Sequence, residues 1–190
     1  IILKNIRGAY VNLIEPRTTQ NDLNGKYQMQ IIIRKDDPQV EKIKKEIEFL
    51  LENDSNVKGK KKTILNIPLK DGDKYNQQQE ENEEEIRPEL VGCYFMQTDN
   101  RKKPGVVNKY NEEPSEADLD KYCYSGAYFH VSLGSSTYPP IDGGKAGVKF
   151  YLNGIMLHKE GERLDGAGSA KNDFAEFADE KDDLESEWAE

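Results

Sequence analysis

Residues 26–34, KYQMQIIIR, alternate along the chain. Tyr27, Met29, Ile31 and Ile33 fall on one side, and Lys26, Gln28, Gln30 and Arg34 on the other. That period of two is the mark of a strand with one buried face. NIRGAYVNLIEP before it reads as a partner strand stopped by Pro16, with residues 17–25 as the polar turn between them. The period then changes. In DDPQVEKIKKEIEFLLEND, Val40, Ile43, Ile47, Leu50 and Leu51 recur at helical spacing, with lysines and glutamates opposite. Asp37 is placed to cap this helix, Pro38 suits its first position, and Gly59 marks its end. TILNIPLKDGDKY reads as a short extended segment and PELVGCYFMQTDN as the next strand. The basic turn RKKPG follows, then a short VVNKY, and then NEEPSEADLDKY as an acidic connector of one helical turn.

Two more strands carry the clearest faces. In YSGAYFHVSL, Ala127, Phe129, Val131 and Leu133 form the core side, and Tyr124, Gly126, Tyr128, His130 and Ser132 the other. In KAGVKFYLNG, Ala146, Val148, Phe150 and Leu152 point inward, opposite Lys145, Gly147, Lys149, Tyr151 and Asn153. A turn-rich loop containing Tyr138 joins them. Five or six strands around one good helix, without an internal repeat, predict a mainly β, α+β chain. Its order and size fit a Greek-key barrel of the oligonucleotide-binding (OB) type with extended loops.

Charge changes the picture. The 190 residues suit one domain with a real core, and the formal net charge is -9. That charge is concentrated. Residues 171–190 hold nine acids and two bases, and residues 76–86, NQQQEENEEEI, hold five acids and no base. Without these segments the chain has 22 acids and 25 bases, a slightly basic body. The expected organisation is a domain over residues 1–168, interrupted by a mobile acidic loop at 76–86, and a disordered acidic tail over 169–190. Such a separation suits a body that binds a polyanion and an acidic element that competes for the same site. No stretch is apolar enough to span a membrane. The start lacks signal-peptide features, and lacking Met it reads as trimmed or processed. Cys93 and Cys123, the two cysteines, are expected as reduced thiols of a cytoplasmic protein.

The chemistry of most enzymes is missing. There is no glycine-rich phosphate loop, no zinc-ligand spacing around Cys93, Cys123, His130 or His158, and no nucleophile elbow at Ser135 or Ser136. Asp71 and Asp73 in KDGDKY read as a turn rather than a metal site, and neither metal nor cofactor is expected. What is present is an aromatic and basic set on a sheet face. Tyr124, Tyr128, His130 and Tyr151 would stack on bases, while Arg101, Lys102, Lys103, Lys145 and Lys149 would meet phosphates. Single strands are held by this combination.

The segments NIRGAYVNLIEP, KYQMQIIIRKDDPQVEKI, LKDGD, LVGCYFMQTDNRKKPGVV, YSGAYFHVSLGSSTY and GVKFYLNGIMLHKEGERL occur in an order that resembles a family of tailed-phage and prophage single-stranded DNA-binding proteins. The resemblance runs to about Gly168. It implies an OB fold, a non-catalytic and sequence-independent role in phage replication or recombination, and a location in the bacterial host cytoplasm. The tail resembles the acidic tails of single-strand binders in general, which recruit replication or recombination proteins, with Phe174, Phe177 and Trp188 as its aromatic anchors. Those tails often end in Phe, whereas here Ala189 and Glu190 follow Trp188. The reading leaves room for a homo-oligomer. Two rivals remain: an acidic DNA mimic that inhibits a host enzyme, and a metal-dependent nuclease built on Asp71, Asp73 and the glutamate run.

Overall fold

The computed structural model describes residues 1–140 and 143–164. Strands β1 (Ile2–Thr19) and β2 (Asp22–Arg34) form a long antiparallel hairpin, and helix α1 (Val40–Asn53) follows. A two-residue strand, β3 (Lys70–Asp71), leads directly into α2 (Gly72–Glu81). After it come β4 (Cys93–Asn100), β5 (Gly105–Val107), α3 (Glu116–Tyr122), β6 (Tyr128–Tyr138) and β7 (Gly147–Lys159). β4 lies antiparallel to β2, β6 joins β7 to β1, and β7 meets β4 in parallel at Asp99–Tyr151. β1, β2, β4, β7 and β6 therefore close into a five-stranded barrel, the connectivity of the OB fold.

The alternation puts the expected side chains inside. Leu3, Ile6, Met29, Ile31, Met96, Phe129, Val131, Val148, Phe150 and Leu152 are all buried in one cluster. Val40, Ile43 and Ile47 of α1 complete it, with Leu50 and Leu51 packed at its edge. Gln30 and Ile32, on the opposite face of β2, are also buried. Ile32 joins Ala9, Leu90 and Phe95 in a second cluster outside the barrel wall, covered by Tyr75 and Leu164.

Several boundaries differ from expectation. β1 does not stop at Pro16 but runs on to Thr19. Its pairing with β6 ends at Arg7, so Pro16 sits where one flank has no neighbour and its missing N–H breaks no ladder. The hairpin turn shrinks to Gln20 and Asn21. Asp37 caps a tight turn before α1, accepting from the Gln39 N–H at 2.8 Å, and the helix itself begins at Val40. α1 ends at Asn53, ahead of further turns that reach Gly59.

The largest departure is at residues 76–86, expected as a mobile acidic loop. The chain is helical there through Glu81. Three anchors overcome a composition poor in apolar residues. Asp71 caps the helix by accepting from the N–H groups of Asp73 and Lys74. Tyr75 packs edge-on against Phe95, with ring centroids 5.4 Å apart. Buried Asn76 takes both backbone polar groups of Arg87, at 2.9 and 2.8 Å. The acidic connector likewise holds a seven-residue helix, α3, started by a reciprocal Ser115–Asp118 capping box.

Candidate nucleic-acid interface

The groove that concentrates aromatic and basic groups lies outside the barrel, across β2, β4 and β7. Gln30 comes from β2, Phe95, Gln97 and Asp99 from β4, and Lys149 and Tyr151 from β7. Tyr138 at the end of β6, Asn66 and Pro68 from the segment before β3, and Lys70 of β3 complete its lining. Its volume is ≈ 520 Å³. Asn66 is fixed to the start of β7: its N–H donates to Ala146 and its carbonyl accepts from Val148, while its side-chain amide donates to the Tyr138 hydroxyl at 2.7 Å. Gly147 permits this approach, because a Cβ there would lie 2.5 Å from the Asn66 carbonyl and 2.7 Å from the Tyr138 hydroxyl oxygen.

Within the groove Lys149 lies over the Tyr151 ring, 5.1 Å from its centroid, and its Nζ donates to Asp99 at 2.6 Å. Lys26 Nζ is 4.0 Å from the other Asp99 oxygen. The Tyr151 hydroxyl accepts from Ser136. Just beyond Asp99, Arg101 reaches Asp22 of the β1–β2 hairpin at 3.1 Å, and that hydrogen bond holds the Asp22 carboxyl below its ordinary value. Lys102 and Lys103 beside it, and Lys145 at the entry to β7, are exposed.

The other predicted residues lie elsewhere. Tyr124, expected to face away from the core, packs against it. Its hydroxyl donates to the Gly161 carbonyl and accepts from the Gly161 N–H, and Arg163 covers its ring. Tyr128 lines a separate depression with Arg7, Arg34 and Cys93, under Lys159 at 4.6 Å. His130 stacks on His158 at 4.3 Å, and its Nδ1 accepts from the Asn5 N–H. Burial first, then His158 and Lys4, push its pKa down and favour the neutral ring. Phe174, Phe177 and Trp188 lie outside the described residues.

Sequence reasoning missed Tyr138, Asn66, Lys70, Gln30 and Gln97 as a set. The outward positions of the two glutamines are legible in the alternation. The meeting of Asn66 with β7 and of Lys70 with β4 is tertiary pairing that leaves no local signal.

Asp71 and Asp73 both bind Lys35, at 2.6 and 2.7 Å. Among the described residues no group of three or more His, Cys, Asp or Glu side chains is arranged to hold a metal. Cys93 and Cys123 are free thiols, and burial raises both, Cys123 to about 11. No helix among the described residues is long and apolar enough to cross a membrane.

A closed barrel of this order, with a basic and aromatic groove over β2 and β4, defines an OB-type protein. The chain belongs to the family of the Enterobacter phage Enc34 ssDNA-binding protein, whose profile matches residues 1–185. The fold is similar to that of the bacteriophage Enc34 single-stranded DNA-binding protein in complex with ssDNA. The TM-score is 0.69 at 18% identity, over 86% of this chain and 88% of that one. It is also similar to the bacteriophage T7 single-stranded DNA-binding protein gp2.5, with a TM-score of 0.55 at 16% identity, over 96% of this chain and 97% of the other. No curated protein matches the chain.

Proposed function

We propose that this protein binds single-stranded DNA during phage replication or recombination in the bacterial host cytoplasm, without catalysis and without sequence preference. The observation that carries this is the convergence of Tyr138, Tyr151, Lys149 and Lys70 on one groove. Rings provide stacking surfaces that suit every base, and lysines follow the phosphates. Arg101, Lys102 and Lys103 extend the phosphate track at one rim, and Lys145 extends it at the other. Residues 1–168 act as the DNA-binding body. Residues 169–190 act as a tail that competes for the groove and recruits replication or recombination proteins through Phe174, Phe177 and Trp188.

The test is a gel shift with a labelled oligonucleotide, with and without magnesium, on the full chain and on a chain lacking residues 171–190. Binding without degradation is expected. Magnesium-dependent degradation would favour the nuclease, and no binding even without the tail would favour the DNA mimic. Single strands give about -0.7 in the slope of log K against log salt per phosphate neutralised, so three to five contacts predict a slope of roughly -2 to -3.5. A flat titration would refute phosphate tracking.

A further inference from the structure

Gln30 carries a signal that stacking and phosphate contacts leave unexplained. It stands on the outward face of β2, directly opposite Gln97 of β4, and it lines the groove with Tyr151 and Lys149. Only 8% of the residue is exposed. Its Oε1 is buried and meets no hydrogen-bond donor, and no other described side chain leaves a buried nitrogen or oxygen atom without a partner. A buried carbonyl left this way is destabilising, and folded proteins seldom tolerate it without a reason. Turned over, the amide places its NH₂ at the same spot, so the site offers an acceptor and a donor side by side.

Every base presents the matching pair on its Watson–Crick edge. Adenine has N6–H beside N1, cytosine N4–H beside N3, guanine N1–H beside O6, and thymine N3–H beside O4. An amide that can turn over pairs with any of the four. In a duplex that edge is occupied by the complementary base. It is free only in a single strand, where proteins read it by hydrogen bonding.

We propose that the Gln30 amide is a sequence-neutral reader of the Watson–Crick edge. A base stacked in the groove turns that edge onto the orphaned Oε1 and its neighbouring Nε2, so unpaired bases are favoured over paired ones without discrimination among the four. This rests on the groove being the single-strand site. It adds a base-edge contact to stacking and charge, and it gives the unpartnered atom its donor.

The experiment uses the full chain and two oligonucleotides of equal length, one of thymidine and one of N3-methylthymidine. The second keeps the rings and the phosphates but lacks the N3–H donor. Wild-type protein should bind the methylated strand about 3- to 10-fold more weakly, the worth of one hydrogen bond. Gln30→Leu, checked for folding by its melting temperature, should bind thymidine more weakly by a similar factor and be less sensitive to methylation. Deoxyadenosine and deoxycytidine strands should lose affinity in Gln30→Leu by that same factor. Equal wild-type affinity for the two thymine strands overturns the proposal without recourse to a variant. So does an equal penalty from methylation in both proteins. If neither strand binds wild-type protein at all, the function proposed for the groove fails instead.

Discussion

Asp99 lies between two lysines, 2.6 Å from Lys149 and 4.0 Å from Lys26, on the wall of a groove read here as a phosphate track. A carboxylate there would repel a DNA backbone. It also pairs with Lys149, which lies over the Tyr151 ring, so part of the groove's positive charge is neutralised. Asp99→Asn keeps the shape and removes the anion. Single-strand affinity should then rise by about 3-fold or more at low salt. If Lys149 takes up a phosphate that it previously shared with Asp99, the salt slope should steepen by about 0.7. Anisotropy titrations across salt check both, and an unchanged slope with unchanged affinity would remove Lys149 from the track. At this scale the sequence was partly legible. Alternation separates inward Phe150 from outward Lys149 and Tyr151 correctly, because a pleated strand has only two sides. It does not say which way an outward residue faces around a closed barrel. Tyr128 and His130 therefore share a pattern with Tyr151 but line different depressions.

The element most misread is α2. Its Gln- and Glu-rich segment lacks the apolar stripe that made α1 plain, and what holds it comes from residues distant in sequence: Phe95 against Tyr75, the Arg87 backbone against Asn76, and Lys35 against Asp71 and Asp73. Asp71 is both cap and ion-pair partner. Burial works to raise its pKa, but Lys35 and the cap hydrogen bonds bring the net value below the ordinary 3.8. Asp73 is lowered chiefly by Lys35 and then by the Gly92 N–H. Both carboxylates therefore contribute stability above the ordinary pKa, and that contribution is lost as pH falls through the lowered folded values. Asp71→Ala should cost about 0.5–2 kcal/mol, the usual range for a lost cap. It should appear as a lower urea midpoint together with faster amide exchange in α2. If midpoint and exchange both match wild type, the cap is not what orders the helix. Magnesium should leave the wild-type midpoint unchanged, since Lys35 already occupies the carboxylates that a metal would need. The two strands with the clearest sequence signal, β6 and β7, show it because their alternating inward positions pair with each other over almost their full length.

For the whole molecule, the informative quantity is where the charge sits. The barrel closes because β7 reaches β4 at Asp99–Tyr151, and that closure brings residues more than a hundred positions apart in sequence, from Gln30 to Tyr151, into one groove. Order and size of elements pointed to this architecture, but only closure defines the groove. Against a remainder of the chain with a net charge of only -2 stands a tail with a net charge of -7, nine acids against two bases in residues 171–190. A tethered polyanion competes at an effective concentration that can reach about millimolar beside its own groove. Deleting residues 171–190 changes the net charge from -9 to -2. Truncated protein should therefore bind oligonucleotide more tightly, with the largest gain at low salt, where screening is weakest. At roughly 1 M salt, where the Debye length is about 3 Å, the two affinities should converge. In the full chain, adding DNA should release the tail from the groove, visible as sharper NMR signals from Phe174, Phe177 and Trp188. If affinities are equal at low salt and those signals do not respond to DNA, competition is ruled out, and the nine acids leave the groove's affinity untouched.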